Sequence, residues 1–304
     1  MPHDPTAGDA SADDGPSPHD VSVEAPVTVL GVDLSASASA AHRKTWITRA
    51  TVTDGAVALD QPVPARTLPS EPRSRDAVFD ALRRTIAEAE PPAVVGLDAP
   101  FSLPEPIVAE SDWRAFLETV PDTFSDADDF QTTCHRLTKR ATGGDRKEIR
   151  RRCDERFDGL CPYNRFVFRI TYHALRDLLV PLVRSETAAA WPFQPGAATA
   201  DRVLLETYPA AVLASRLAVR STTYKDAHDD PAFRRAVLDQ ILASDAVAVD
   251  PHPTATAIRS AVVDDAGGDA LDSLLAAWAA AAWVRGDRPT ADHRAPPSEG
   301  FIHY

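Results

Sequence analysis

The fold of this chain is decided by two short apolar runs, Val27–Asp33 (VTVLGVD) and Ala93–Asp98 (AVVGLD). Both runs are rich in the aliphatic and β-branched residues that are typical of a strand buried on both faces. Each run ends in an aspartate. We therefore predict strands over Val27–Leu34 and Ala93–Asp98, with an acidic side chain at the end of each.

The elements around these two runs predict an α/β domain. Further strands are predicted over Thr45–Thr53 and Ala56–Leu59, followed by a helix over about 74–90 with Ser74 as its N-cap. Three strands, a helix and a fourth strand differ from the steady βαβα alternation of a dinucleotide-binding fold. The chain also has no G-x-G-x-x-G after the first strand and no G-x-x-x-x-G-K-[ST], so neither phosphate-binding glycine loop is expected.

The second half of the chain returns to the α/β pattern. A strand is predicted over Arg202–Tyr208, and helices are predicted from about 209 and over about 231–243, 253–263 and 269–285. The last of these helices is rich in alanine.

Acidic side chains recur at the ends of these elements, at Asp33, Asp98, Glu206, Asp269 and Asp272. Glu206 interrupts an apolar strand, where a glutamate is rarely buried without a partner. Asp269 and Asp272 are three residues apart at the start of the last helix, so both point from one face. Each of these acids has a simpler explanation when taken alone, because aspartate also forms turns and caps helices.

Taken together, the acidic residues predict a metal site. Carboxylates that converge repel one another unless protons or cations intervene, and Mg²⁺ and Mn²⁺ take oxygen ligands. We predict a site for Mg²⁺ or Mn²⁺ in which Asp33 bridges and Asp98 and Asp272 flank. Asp269 or Glu206 would complete the ligand set or orient a water molecule.

The composition predicts a protein from a high-salt cytoplasm, such as that of a halophilic archaeon. The net charge is −13, and the chain has four lysines against 28 arginines. The Debye length is only about 3 Å at 1 M salt, so this charge does not exclude a nucleic-acid partner. Three cysteines make no disulfide framework, and no signal peptide or membrane-spanning run is evident. We expect a cytoplasmic protein that does not associate with membranes; its oligomeric state is not indicated.

Composition also predicts the domain organisation. Residues 1–25 form an expected disordered acidic tail, and 26–286 form the α/β domain. A mostly helical insertion is expected over about 101–200, with helical periodicity around 145–157 and 166–183. Residues 287–304 are expected to be a loose polar tail.

The insertion contains a basic block. Residues 136–169 carry eleven Lys or Arg against five Asp or Glu. Next to an acidic metal site such a block could hold phosphates, although the residues could equally form a solvated helix face. The predicted substrate-binding residues of the block are Arg146, Lys147, Arg150, Arg151 and Arg152.

Two further features could contact a nucleic acid. Aromatic rings near the block could stack bases; they are Phe157, Tyr163, Phe166 and Phe168. Lys225 is one of only four lysines and is a further candidate phosphate contact, or else a surface residue.

At these residues the chain resembles the ribonuclease H-like superfamily in its resolvase arrangement, with acids on strands one and four and an Asp-x-x-Asp pair opening a C-terminal helix. More narrowly, it resembles the predicted nucleases of domain-of-unknown-function family 429. The resemblance covers roughly 27–286 and implies a mixed five-stranded sheet flanked by helices, with a divalent-metal nuclease site. The segments that carry it are Gly31–Asp33, Gly96–Phe101, Glu206–Pro209 and Asp269–Asp272.

The favoured function is therefore a Mg²⁺- or Mn²⁺-dependent nuclease that hydrolyses phosphodiester bonds in DNA or RNA. One alternative is a phosphotransferase or ATPase of the related actin-like fold, since Gly31–Ser35 also resembles its first phosphate loop, although no second Asp-x-Gly loop follows. Another is a non-catalytic nucleic-acid-binding protein. Zinc binding is a minor alternative because the spacing lacks any Cys-x-x-Cys; its ligands would be Cys134, His135, Cys153 and Cys161.

Overall fold

The computed structural model describes residues 25–110, 112–219, 225, 230–244, 247–248, 254–287 and 297–304. The predicted disordered tail lies outside these residues except for its last position. The fold is α/β, as predicted from the sequence: one mixed sheet carries helices on both faces.

The described part of the chain forms one sheet of eight strands. The strands are β1 (Val27–Asp33), β2 (Trp46–Thr53), β3 (Ala56–Leu59), β4 (Val63–Pro64), β5 (Ala93–Asp98), β6 (Ala189–Trp191), β7 (Arg202–Thr207) and β8 (Val247–Ala248). Their order is β6-β7-β5-β1-β2-β3-β8, and the short β4 pairs with β2 outside this path. Strand β2 is antiparallel to β1, β3 and β4, whereas the other described pairings within the sheet are parallel.

The described part of the chain has eight strands in its sheet, not the five that the sequence resemblance implies. Strands β1, β2, β3, β5 and β7 lie where they were predicted, but β4, β6 and β8 are two or three residues long. Such short strands are set by their neighbours and leave no hydrophobic period in the sequence. Strand β6 also falls inside the predicted insertion of 101–200 and extends the sheet beside β7.

The helices after β7 follow the sequence closely. Helices α9, α10 and α11 begin and end within one residue of the predicted bounds. The helices are α1 (Ala41–Lys44), α2 (Arg75–Ala87), α3 (Trp113–Thr123), α4 (Ala127–Ala141), α5 (Arg152–Arg156), α6 (Phe168–His173), α7 (Val180–Arg184), α8 (Pro209–Arg216), α9 (Pro231–Leu242), α10 (Thr254–Asp264) and α11 (Asp269–Val284). Ser74 caps α2 as predicted and accepts a hydrogen bond from the Ala77 amide at 3.3 Å.

The helices of the insertion only partly match the predicted stretches, because α3 and α4 lie outside them. Residues 168–184 form continuous helix, in which a π-helical segment, Ala174–Leu179, joins α6 to α7. In the predicted helix over 145–157, however, only α5 is helical. The preceding stretch is held by side chains instead, since the Ile149 amide donates to the Tyr163 hydroxyl at 3.0 Å.

Alternation along the strands divides the core into two layers. One set of strand residues, which includes Leu30, Val95 and Leu204, packs against α2 and the helices of the insertion. The next residue of each strand faces the other way, so that Val29, Val94 and Val203 pack against α11 and the helices around it. The two faces of the sheet therefore pack against two different sets of helices.

Helix α11 is buried on all sides and lies directly on β1 and β5. A Cβ placed on Gly31 would lie 2.1 Å from both the Ala277 nitrogen and the Ser273 oxygen, and one on Gly96 would lie 2.5 Å from the Ala276 oxygen. The glycines and the alanines of α11 thus let two backbones meet without intervening side chains. None of the described helices, including α11, is long and apolar enough to cross a membrane.

The C-terminal residues are packed rather than loose. Over the described residues 297–304, Phe301, Ile302 and His303 are buried. The His303 amide donates to the Glu206 carbonyl at 2.8 Å, which extends the edge of β7 by an isolated bridge. The prediction of a loose tail is wrong for this segment, because only its last residues carry the apolar side chains that hold it to the sheet.

We expect Gly31→Ala to lower the free energy of unfolding by about 3 kcal/mol or more, because its Cβ would overlap the backbone of α11. Urea titration followed by circular dichroism measures this loss. The control is Gly159→Ala, whose Cβ would find its nearest neighbour at 3.4 Å and should change stability by no more than about 1 kcal/mol. Equal stability of the two variants would show that α11 does not contact β1 in this way.

Candidate metal centre

Three aspartates converge at the carboxyl edge of the sheet. Asp33 ends β1 and Asp98 ends β5, and the two are direct partners in the parallel pairing of these strands. Asp272 lies in the first turn of α11. One carboxylate oxygen from each residue lies within 4.8 Å of the other two. We name Asp33, Asp98 and Asp272 the aspartate cluster.

The close packing of α11 explains why the cluster forms. Asp33 points to the same face as Gly31, and Asp98 to the same face as Gly96, since side chains two residues apart share a face of a strand. The helix rests on these glycines, so its first turn lies beside the strand ends. Thr48 on β2 and Ser273 fix this turn further, because their hydroxyl oxygens are 2.8 Å apart.

The helix-cap explanation for the acids of α11 does not account for Asp272. The residue at the N-cap position is Gly268, with φ of 72°, and it has no side chain to donate or accept. The Asp265 carboxylate accepts the hydrogen bond from the Ala270 amide at 2.9 Å instead. Asp272 is fully buried and turned toward Asp33 and Asp98.

The cluster concentrates negative charge in a buried place. Burial raises the pKa of Asp33 well above its usual range, and repulsion by Asp272 adds to the effect. Burial and then Asp272 raise the pKa of Asp98 to about 7. Lys225 opposes both shifts, and its Nζ donates to Asp272 Oδ2. Because converging carboxylates repel one another unless protons or cations intervene, the arrangement is suited to a cation.

Asp269 lies beside the cluster rather than in it. Among the described residues, the group of converging oxygen atoms here consists of Asp33, Asp98 and Asp272. Asp269 is half-buried at the rim of the same cavity, and burial, followed by the charge of Asp265, raises its pKa to about 7. Of the four predicted metal ligands, Asp269 therefore lies outside the group formed by Asp33, Asp98 and Asp272.

Glu206 does not reach the aspartate cluster, in contrast to its predicted catalytic role. It pairs with Leu97 across β5 and β7, whereas Thr207 pairs with Asp98. Glu206 therefore faces the insertion, where its carboxylate accepts two hydrogen bonds from Arg151 at 2.5 and 2.8 Å and one from the Phe101 amide at 2.8 Å. The raised pKa of Glu206 comes from burial, which Arg151 partly offsets.

Arg151 is a buried structural residue rather than part of an exposed basic patch. It is 1% exposed, and its guanidinium also donates to both carboxylate oxygens of Asp154, at 2.7 and 3.0 Å. A bidentate arginine between two carboxylates joins α5 to β7. A run of basic residues in a sequence does not reveal which one turns inward.

The other residues of the predicted basic block lie on the surface. Arg146 and Lys147 are exposed, and Arg150 forms an exposed ion pair with Asp158 at 2.7 Å. Arg152 is exposed, and its amide donates to the Glu299 carboxylate at 2.7 Å. Of the five basic residues of the block that were predicted to bind substrate, Arg151 alone lines the cavity above the aspartate cluster.

A cavity of about 660 Å³ opens over the cluster. Asp33, Asp98 and Lys225 line one side of it. Two residues that the sequence did not single out, Thr207 and Tyr208, line it as well. Thr207 Oγ1 is buried and has no hydrogen-bond partner among the described residues. The register that places Thr207 beside Asp98 is the signal that would have found it, and register is invisible in a single strand.

The donor set fits a hard divalent cation. Mg²⁺ holds oxygen ligands at about 2.1 Å in octahedral geometry, so adjacent ligands lie about 3 Å apart and opposite ligands about 4.2 Å apart. The carboxylate oxygens of the cluster lie within 4.8 Å of one another, which is close to this spacing. Asp33, Asp98 and Asp272 would hold the ion, and they offer only oxygen, which suits Mg²⁺ or Mn²⁺.

The three cysteines do not support the alternative of a zinc site. All three are free and buried, and burial raises the pKa of the Cys153 thiol above its usual range. Within the described residues, the groups of converging ligand atoms include neither Cys134 nor Cys161. Cys153 does lie near Asp154 and Glu206, but both carboxylates already accept hydrogen bonds from Arg151.

Comparison with known proteins gives one match. The model of a family described as "Protein of unknown function (DUF429)" matches residues 179–296, which include Glu206, Lys225, Asp269 and Asp272 but not Asp33 or Asp98. The match supports the family resemblance seen in the sequence. No curated protein and no solved structure shows significant similarity to the chain.

We expect Asp98→Asn to stabilise the protein in EDTA at pH 8 by about 0.5–2 kcal/mol, because it removes a buried repelling charge. A carboxyl group whose pKa is about 7 in the folded state and 3.8 in the unfolded state costs stability as pH rises through that window. The wild type should therefore lose stability between pH 4 and 7 more steeply than the variant, as thermal unfolding in EDTA will measure.

The control for this experiment is Asp201→Asn, an exposed residue just before the amino end of β7. It should keep the pH profile of the wild type. Added Mg²⁺ or Mn²⁺ should raise the unfolding temperature of the wild type more than that of Asp98→Asn. If the stability of all three proteins changed equally with pH, the assignment of a raised pKa to Asp98 would be wrong.

We expect Arg151→Met to cost about 3–5 kcal/mol of stability, because it leaves Asp154 and Glu206 buried without their partner. The matched control is Arg150→Met, which removes an exposed ion pair with Asp158 and should cost at most about 1 kcal/mol. Chemical unfolding of both variants makes the comparison. If Arg151→Met kept wild-type stability and lost only affinity for nucleic acid, Arg151 would be a substrate-binding residue.

Proposed function

We propose that this protein is a divalent-metal-dependent nuclease that hydrolyses phosphodiester bonds in nucleic acid. The single observation that carries the proposal is the aspartate cluster, in which three buried or half-buried carboxylates meet within 4.8 Å, two of them, Asp33 and Asp98, lining a cavity of about 660 Å³. A cavity of this volume is in the range of small-molecule binding sites. Buried carboxylates that repel one another are costly to keep unless a cation occupies them.

We also infer that the domain is ribonuclease H-like. The order of strands supports this inference: an antiparallel pairing of β1, β2 and β3, then helix α2, then β5 parallel to β1. Acids end the first strand and the strand that follows the helix, and a further acid opens the C-terminal helix. The resemblance to the ribonuclease H-like superfamily rests on this order of strands and acids. In the folded chain the three acids, Asp33, Asp98 and Asp272, lie close together.

The residues at this site would have different roles in the reaction. Asp33, Asp98 and Asp272 would bind Mg²⁺ or Mn²⁺, which would supply Lewis-acid polarisation of a phosphoryl oxygen. Lys225 contacts Asp272 and lines the cavity, where its ammonium group would attract the phosphodiester. Asp269, beside the cluster with a pKa of about 7, is suited to accept a proton from the attacking water near neutral pH. With Glu206 bound to Arg151, Asp269 is the remaining predicted residue for this role.

The loop after β1 disfavours the alternative of an actin-like phosphotransferase. In such a protein the backbone amides of this loop would bind phosphate. Here the Ser35 amide donates to Thr45 Oγ1 at 3.0 Å, and the Ala40 amide donates to Ser37 Oγ at 3.1 Å. These donors are already used within the loop, so they do not offer a phosphate cradle.

Cleavage assays test the proposal. Labelled single-stranded, duplex and branched DNA and RNA would be incubated in molar KCl with Mg²⁺, Mn²⁺ or EDTA. We expect metal-dependent cleavage that Asp33→Asn and Asp272→Asn lower by at least about 100-fold, more than the loss of an outer-shell partner of a metal ligand usually causes. Both variants should remain folded, since each removes a repelling charge.

Asp201→Asn is the matched control, because it neutralises an acid far from the cavity and should cleave like the wild type. Full activity of Asp33→Asn would rule out the aspartate cluster as the catalytic site. Metal binding by the wild type without cleavage of any of these substrates would favour a non-catalytic nucleic-acid-binding protein.

A further inference from the structure

The cavity above the aspartate cluster has an unusual rim. Among the described residues, two large hydrophobic side chains are exposed, Leu160 at 41% and Phe166 at 66%. Both line this cavity. An exposed phenylalanine costs solvation free energy, and its position in the lining of the cavity that holds Asp33 and Asp98 marks a place where a ligand would cover it.

The loop that carries Phe166 is held firmly in place. The Phe166 amide donates to Asn164 Oδ1 at 3.1 Å, and the Asn164 side chain donates to Glu148 Oε2 at 2.9 Å. The Phe168 amide donates to the Asn164 carbonyl at 2.9 Å. The backbone on both sides of the ring is therefore fixed, so a ligand that stacks on it would pay little conformational entropy.

Phe166 differs from the other aromatic residues near the basic block. Tyr163 and Phe168 are buried in the core, where the Tyr163 hydroxyl lies 2.6 Å from Thr138 Oγ1. Phe157 is partly buried against Tyr304, with ring centroids 4.8 Å apart. Of the four aromatic residues predicted to stack bases, Phe166 is the one with an exposed ring at the cavity.

The surroundings of Phe166 indicate the chemistry of the ligand. The Arg165 guanidinium lies over one face of the Phe166 ring, 4.4 Å from its centroid, and the cavity is also lined by Lys225, Asp33 and Asp98. A planar ring placed beside cationic groups, over a site suited to a phosphodiester, matches a nucleotide: the base would stack and the ester would enter the cavity. An apolar peptide would leave the charged groups of the cavity without partners.

We propose that Phe166 is the stacking platform for one unpaired nucleobase of the substrate, so that the protein binds single-stranded nucleic acid in preference to duplex. This proposal rests on the proposed function for the identity of the substrate. A base inside a duplex is already stacked between its neighbours, and presenting its face to Phe166 would require it to leave the stack. A single strand has no such cost.

Binding measurements test the platform without relying on cleavage. The probe is a fluorescein-labelled 12-nucleotide single strand, titrated with the full chain in EDTA and again in Ca²⁺, with fluorescence anisotropy as the readout. Phe166→Ala should weaken binding by at least about fivefold, a loss in the range measured for one stacked base. Phe166→Trp should retain the affinity of the wild type. Phe166→Leu keeps an apolar side chain but loses the ring, and should bind like Phe166→Ala.

An abasic site moved along the 12-nucleotide strand identifies the stacked base. At one position the abasic strand should bind wild type as weakly as the intact strand binds Phe166→Ala, and the two changes together should add nothing further. A duplex of the same sequence should bind more weakly than the single strand and should be insensitive to Phe166→Ala. Equal affinity of wild type and Phe166→Ala for the single strand would overturn the proposal, as would full affinity of Phe166→Leu.

These results separate this proposal from the proposed function. If Asp33→Asn abolishes metal-dependent cleavage but Phe166→Ala does not change binding, the nuclease proposal is supported and the stacking proposal is wrong. If single-strand binding depends on Phe166 but no substrate is cleaved, the stacking proposal is supported and the nuclease proposal is wrong.

Discussion

The contact between α11 and the glycines of β1 and β5 is the constraint on which the rest of the structure depends. A helix that packs on a sheet usually keeps its axis about 10 Å away because side chains fill the gap. Here Gly31 and Gly96 face Ala276 and Ala277, so backbone meets backbone. The helix cannot slide along the strands without losing this fit. Its first turn is thereby fixed beside the strand ends, where Asp33 and Asp98 lie.

Buried carboxylates on the two faces of the sheet have different partners. On the face of the insertion, Glu206 and Asp154 share the bidentate guanidinium of Arg151, which satisfies their oxygen atoms with hydrogen bonds. On the face of α11, Asp33, Asp98 and Asp272 converge within 4.8 Å, and among the described residues Lys225 forms an ion pair with Asp272. In the first arrangement arginine hydrogen bonds stabilise the carboxylates, whereas the second is the arrangement that we propose binds a cation. This contrast distinguishes a structural network from a site.

The central strands, the late helices and the positions of Asp33, Asp98 and Asp272 along them were predictable because they depend on local patterns. The meeting of the three acids depends on the packing of α11 on Gly31 and Gly96. A strand that is apolar throughout and a helix that begins with Asp-x-x-Asp are readable without knowledge of their partners. Glu206 was misassigned because its direction depends on the pairing of β7 with β5, and the adjacent Thr207 points to the cluster instead. The inward turn of Arg151 and the packing of the residues after 296 likewise depend on long-range contacts that carry no local signal.

The Glu206–Arg151 pair has a further consequence for the cavity. Glu206 belongs to β7, whose next residue, Thr207, lies beside Asp98, and Arg151 belongs to the insertion that carries Phe166. The C-terminal segment strengthens the same junction, since the Glu299 carboxylate accepts hydrogen bonds from the Glu105 and Arg152 amides at 2.9 and 2.7 Å. The two walls of the cavity are therefore joined through buried, charge-assisted hydrogen bonds rather than by apolar packing alone. Since such bonds fix direction as well as distance, the rim of the insertion is held in a set position over the aspartate cluster.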